Sequence, residues 1–254
     1  MDFSNPDAFE RFLRLYGVLP RAAPGSDDAT RAALVALPKG PRRKILDLGC
    51  GPGAQTLSLA SALPDSIVVA VDVLPSMVTE TTRRSRAAGL ADRIVATVAD
   101  MAAPPVAIGS QELIWCEGAI YFLGVTAALR KWRQYLTGYG CVAFTEPVWL
   151  QSNPNEEIES WWSREYPAMT DAAGIQQAIL DAGYRFIDSF VLPAQAWWAD
   201  YYRPLEARIP GFLGEYPRDE VAQEIAGAAE EEISMFRRFN DTFSYGFFIA
   251  SPKS

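Results

Sequence analysis

Histidine is absent from all 254 positions, and cysteine occurs only three times, at 50, 116 and 141. Without imidazole, every mechanism that uses it as a base is excluded, and zinc loses its most common nitrogen ligand. The cysteines form no CxxC pair, and each falls in or beside a predicted strand, so they read as reduced, buried thiols and no metal is expected. Positive charge is scarce: 23 Lys and Arg stand against 31 Asp and Glu, a formal net charge of −8. Such a balance argues against a nucleic-acid footprint, which needs clustered cations. The one short basic run, Arg83, Arg84 and Arg86, fits the solvated end of a helix, where cations complement the dipole. No stretch of about 18 apolar residues occurs, so no membrane span is expected. The first six residues lack the basic start and apolar core of a leader, which makes a cytoplasmic enzyme the expectation.

What the chain does contain is concentrated between Ile45 and Gly53. An apolar run carrying Asp47 leads into Gly49, Cys50, Gly51, Pro52 and Gly53, and a helical pattern starts at Ala54. This reads as an inner parallel strand over 43–50, a loop that a ligand approaches closely, and a helix N-terminus. Glycine at alternate positions lets that backbone turn sharply without Cβ clashes. Gly49, Gly51 and Ala54 also satisfy the dinucleotide fingerprint, in which a pyrophosphate rests on the helix. Asp47 opposes that reading, because a carboxylate there suits an amino group, and Pro52 removes an N–H that an anion would use. The loop is shaped for a nucleoside carrying a cation and no phosphate.

Three further acids follow at strand ends. Asp72 closes the run 67–71 about 20 residues past the glycine loop, where a ribose-binding acid belongs. Asp100 closes 93–99, and Glu117 follows Leu113 to Cys116. Open α/β folds bind ligands at this carboxyl edge of the sheet. With these residues the chain resembles the class I S-adenosylmethionine-dependent methyltransferases over roughly residues 43–150. The resemblance implies that Asp47 to Gly53 wraps the methionine part of the cofactor, that Asp72 takes the ribose hydroxyls, and that Asp100 with Met101 meets the adenine. Cofactor contacts are accordingly expected from Ser26, Asp47, Gly49, Gly51, Gln55, Asp72, Val73, Asp100, Met101 and Glu117. Pro24, Gly25, Ser26, the segment Glu117 to Tyr121, and Trp197, Tyr201 and Tyr202 look like a bacterial small-molecule subgroup related to ubiquinone and menaquinone methyltransferases.

The rest of the chain is expected to complete one α/β domain. Helices over 5–16 and 27–37, with Asn5 and Ser26 as caps, precede the first strand. In the resembled family such helices form a lid. The family also implies a three-layer, Rossmann-like, mostly parallel sheet of seven strands in the order 3-2-1-4-5-7-6, the last strand antiparallel. Residues 147–167 read as an irregular insertion, followed by a helix near 171–182, a strand near 185–191 and a helix near 219–238. The predicted division is 1–42 as lid, 43–150 as cofactor core and 151–254 as the part that shapes the substrate site.

Methyl transfer from a sulfonium is an in-line displacement, so its main demand is near-attack geometry. A base is needed where the nucleophile carries a proton, and Glu117 is best placed for it by sequence, its alternative being a structural carboxylate that bonds the lid. Tyr121 could share that role or pack as a lid residue, and Glu146 closes the fifth strand as a third candidate. Five of the seven tryptophans lie beyond residue 148, which suits a pocket for a flat or apolar acceptor or an aromatic core. The expected activity is methyl transfer to a small-molecule acceptor. Two alternatives stand beside it: a cofactor-binding regulatory or partner-binding module without turnover, and a nicotinamide oxidoreductase. The sequence leaves the oligomeric state open.

Overall fold

The computed structural model describes residues 5–253; residues 1–4, which supplied most of the expectation about a leader, lie outside the described residues. In chain order the elements are α1 (Pro6–Tyr16), α2 (Asp27–Ala36), β1 (Lys44–Leu48), α3 (Ala54–Ala62), β2 (Ile67–Asp72), α4 (Pro75–Ala87), β3 (Ile94–Val98) and β4 (Gln111–Cys116). They continue as α5 (Val125–Trp132), β5 (Leu136–Trp149), α6 (Glu156–Glu165), β6 (Thr170–Asp171), α7 (Ala172–Asp181) and β7 (Tyr184–Val191). The last are α8 (Ala194–Trp197), α9 (Arg203–Glu215), α10 (Glu220–Phe239) and β8 (Phe243–Pro252).

Among the described residues eight strands share one sheet in the order β3-β2-β1-β4-β5-β8-β7, with the short β6 pairing β5 off this path. The pairs within β3-β2-β1-β4-β5 are parallel, and β8 runs antiparallel to both β5 and β7. This is the expected order with one addition, since the two-residue β6 only shifts the numbering of the strands after it.

Alternation along the strands sorts their side chains between two cores. Ile45, Leu113, Trp115, Ala143, Phe247 and Ile249 join one cluster together with residues of α2, α3, α6, α9 and α10. Leu46, Ile114, Cys116, Val142, Phe144 and Phe248 join the other, against α5 and α7. The result is the expected three layers. By this parity Asp47 and Glu117 continue the rows of Ile45 and Trp115, toward the side of α2 and α3.

The helix starts follow their caps. Asn5, Ser26, Asn155, Asp171 and Asp219 each accept an amide hydrogen from the first turn of the helix they precede. Two stretches differ from expectation. Residues 147–167 are ordered: β5 runs on to Trp149, and α6 follows with Ile158, Trp161 and Trp162 buried, which shows that apolar burial outweighed the Asn and Pro turn signals around 153–155. A helical run also fills Ala194 to Glu215, where no helix is expected because Pro193, Pro204 and Pro210 break the pattern. Pro204 sits in the first turn of α9, where proline is tolerated, and Pro210 lies inside it. No helix among the described residues is long and apolar enough to cross a membrane.

Candidate active site

The loop after β1 is built as its glycines require. Gly49, Gly51 and Gly53 have φ of 72°, 53° and 87°, the left-handed region that side chains rarely adopt. Space is also closed to a side chain: a Cβ on Gly49 would come 2.5 Å from the Cβ of Ala119, just beyond β4. The loop is tied to the β2 strand end, because the amides of Gly49 and Cys50 donate to the Val71 carbonyl at 2.8 and 2.9 Å.

Asp72 completes that tie. Its Oδ2 accepts from the Gly51 amide at 2.9 Å and its Oδ1 from the Leu74 amide at 2.9 Å. Burial pushes its carboxyl up while these amides pull it back down. Each oxygen keeps acceptor capacity for another donor. Val73 beside it is 66% exposed, and Met101 is half-buried beyond the end of β3. Asp100 is exposed, with its Oδ1 accepting from the Ala102 amide at 2.7 Å. Gly49, Gly51, Asp72, Val73, Asp100 and Met101 thus stand on one carboxyl edge, as expected.

Asp47 departs from expectation. It is fully buried beneath the loop, and its oxygens accept from Thr56 Oγ1 at 2.5 Å and Gln55 Nε2 at 3.4 Å. Gln55, also expected at the cofactor, is buried as well and donates to the Cys50 carbonyl at 3.2 Å. Strand parity is the reason: Asp47 faces α3 and braces the loop from below. Desolvation lifts its carboxyl to about 7.

Glu117 is buried and fully engaged. Its Oε1 accepts from Thr30 Oγ1 at 2.7 Å and from Trp115 Nε1 at 2.8 Å, and its Oε2 lies 3.2 Å from the donor Arg21 Nη1. Arg21 is itself 4% exposed and donates to Asp27 Oδ1 at 2.7 Å. Arg21 and Thr30 belong to the N-terminal segment and Trp115 to β4, so Glu117 fastens that segment to the end of β4. A base role for Glu117 would require breaking the pair to Arg21. Ser26 caps α2 through the Ala29 amide and stands beside this network.

The same segment lies against the loop. Ala22 is the nearest neighbour to a Cβ placed on Gly51, at 3.2 Å, and Ala23 to one on Gly118, at 2.3 Å. Arg84 holds it from the far side, donating to the carbonyls of Leu19 and Pro20 at 3.0 and 2.6 Å. The basic run expected at a solvated helix end therefore includes an anchor. Arg21 had no motif to mark it, and the anchoring role of Arg84 was hidden because its partners are distant in sequence.

A second group lies along β5. Tyr121 packs edge-on to Tyr166 with ring centres 5.9 Å apart, and Tyr166 donates to Glu146 Oε1 at 2.5 Å. Glu146 is 1% exposed, its Oε2 has no partner, and burial lifts its carboxyl to about 7. A single π turn over Trp198–Tyr202 lets both Tyr201 and Tyr202 turn inward onto Glu232, at 3.4 and 3.0 Å. Glu232 carried no signal in the sequence. Of the later tryptophans, Trp161, Trp162 and Trp197 are buried in the core, the second of the two readings for that cluster.

Comparison with known proteins agrees with this geometry. Residues 45–140 match the model of the methyltransferase domain. The chain is 29% identical over 124 residues to malonyl-[acyl-carrier protein] O-methyltransferase of Legionella pneumophila, covering 48% of this chain and 41% of that protein. It is 27% identical over 184 residues to trans-aconitate 2-methyltransferase of Rhodococcus jostii, covering 66% of this chain and 65% of that protein. The chain thus spans less than two thirds of the length of either relative. A crystal structure of a SAM-dependent methyltransferase from Geobacter sulfurreducens, in complex with S-adenosyl-L-homocysteine, superposes with a TM-score of 0.80 at 20% identity over 98% of this chain and 99% of that one. The matched methyltransferase domain lies over the glycine loop and its acids, and the whole chain shares the fold of the Geobacter sulfurreducens structure.

Proposed function

We propose that this chain transfers a methyl group from S-adenosylmethionine to a small-molecule acceptor. The observation that carries this reading is the edge itself: a left-handed glycine loop hydrogen-bonded to Asp72, with Asp100 at the end of the neighbouring strand. The residues fit the cofactor. A Cβ would fill the cradle at Gly49, Asp72 has acceptor capacity for two ribose hydroxyls, and exposed Val73 and half-buried Met101 offer apolar surface to a base. The bound cofactor supplies an electrophilic methyl on a sulfonium. Asp72 and Asp100 would fix the nucleoside, and the loop backbone would hold its amino-acid end with Asp47 bracing from beneath.

Glu117 we assign to the lid and not to proton transfer. Arg21 and Thr30 bring residues 17–30 onto it, closing the edge against water and leaving the near-attack geometry to the fixed loop. The acceptor class follows the relatives only as far as a small molecule. Calorimetric titration of the wild type and of Asp72→Ala with S-adenosylmethionine tests the assignment. Losing hydrogen bonds to a charged acceptor, each contributing about 1.5–3 kcal/mol, should weaken binding at least about tenfold. Equal affinity in the two proteins contradicts it.

A further inference from the structure

Glu146 presents an unusual combination. It is 1% exposed, it stands at the carboxyl end of β5, and its Oε2 lacks any partner while Oε1 takes the Tyr166 hydroxyl. A buried acceptor in that state calls for a donor that the chain does not supply. It stands on the same carboxyl edge as the glycine loop: Cys116 of β4 pairs with Phe144 of β5, and the Gly118 amide donates to Thr145 Oγ1, so Glu146 lies level with the residues just past Glu117.

The surroundings are aromatic and acidic. Tyr166 meets Tyr121, Tyr245 lies across the strand pair from Pro147, and Tyr245 packs on Trp197 with ring centres 5.2 Å apart. Tyr202, 5.7 Å from Trp197, leads to the second carboxylate, Glu232. Both carboxylates act on the hydroxyls of Tyr121 and Tyr245, which burial and these charges together push up. Among the described residues no lysine or arginine forms an ion pair with Glu146 or Glu232, whose side-chain partners are tyrosine hydroxyls. An anionic acceptor would meet two uncompensated carboxylates here. A cation would relieve them and would also find ring faces, which attract cations when desolvated.

Resting on the methyltransferase reading, we propose that this tyrosine-lined pair of carboxylates is the acceptor site and that it takes an amine, bound as its ammonium with Glu146 Oε2 accepting one N–H. For transfer, Glu146 takes that proton, the freed nitrogen lone pair forms the new N–C bond, and the S–CH3 bond of the sulfonium donor breaks with its electron pair going to sulfur. The positive charge passes from sulfur to the methylated nitrogen.

The test uses three matched probe series, each an amine with its carboxylate and alcohol counterparts: ethanolamine, propionate and propanol; phenethylamine, 3-phenylpropionate and 2-phenylethanol; tryptamine, indole-3-propionate and tryptophol. Each probe is titrated into the full chain, with and without saturating S-adenosylhomocysteine, by calorimetry. At least one amine should bind, its carboxylate and alcohol counterparts at least tenfold more weakly, and Glu146→Gln should weaken the amine at least tenfold with its melting curve still cooperative. Glu232→Gln serves as the second variant where Glu146→Gln does not fold. No binding by any amine, a carboxylate or alcohol that binds as tightly, or an amine affinity unchanged in the folded variant overturns the proposal. Failure of S-adenosylhomocysteine to bind would instead count against the methyltransferase reading, and the amine titration without it would still decide this one.

Discussion

Single carboxylates set the chemistry and the pH response of this chain. Glu146 and Asp47 both lie buried with carboxyls lifted to about 7, above ordinary values of 4.5 and 3.8, because burial penalises the charged form. A folded carboxyl that stays protonated to about pH 7 binds more protons than its unfolded counterpart across that window, so stability falls as pH rises from about 4.5 to about 7. For Glu146 the loss is about 3 kcal/mol, at 1.36 kcal/mol for each pH unit. Glu146→Gln removes it. The variant should therefore gain melting temperature over the wild type at pH 8 and lose that gain at pH 5; parallel curves at the two values would sink the assignment. Glu80 behaves oppositely. Its carboxyl is held at about 2 by Arg83 and Arg84, so its contribution disappears only below pH 4.5. At this scale the sequence was legible where an acid sits in a motif: Asp72 and Asp100 stand where their spacing predicts. It was illegible for Glu232 and Arg21, whose roles depend on partners about 30 and 96 positions away.

Elements place those residues, and the N-terminal segment is held over the edge by a small set of side-chain bonds. Arg21 clips it to Glu117 and Asp27, Thr30 adds a hydroxyl, and Arg84 grips the carbonyls of Leu19 and Pro20 from α4. Small residues allow the close fit, as Ala23 meets Gly118 where no larger pair would pass. Arg21→Ala leaves Glu117 buried without its cation and should destabilise the chain by about 3–5 kcal/mol, measured by urea unfolding. Arg84→Ala should be milder, about 1–2 kcal/mol for the lost hydrogen bonds, and should speed proteolysis within residues 17–26 before the rest of the chain. Cleavage at an unchanged rate would show that Arg84 does not anchor the segment. Helices α1 and α2 were legible because their periodicity and their caps, Asn5 and Ser26, agree, and α3 because it starts directly after the glycine loop. The run from Ala194 to Glu215 was not, since its two prolines, with Pro193 just before it, fall where a helix can absorb them only once tertiary packing has fixed it.

At the scale of the whole molecule, one sheet separates two apolar cores and gathers its function on one edge. Parallel strands β1 to β5 bring Gly49, Asp72, Asp100, Glu117 and Glu146 to that edge from five separate stretches of chain. The cofactor half was readable because each of its acids ends a strand in a local pattern. The acceptor half is assembled by β5, β8, α10 and the π turn, whose meeting no local pattern encodes. The central claim is that this edge receives a sulfonium nucleoside and not a dinucleotide, since Pro52 withholds from the loop an N–H that a pyrophosphate would use. Parallel calorimetric titrations of the wild-type chain with S-adenosylhomocysteine and with NADH test it most directly. Saturable one-to-one binding of S-adenosylhomocysteine with no heat from NADH is the predicted result; saturable NADH binding with none for S-adenosylhomocysteine would contradict it.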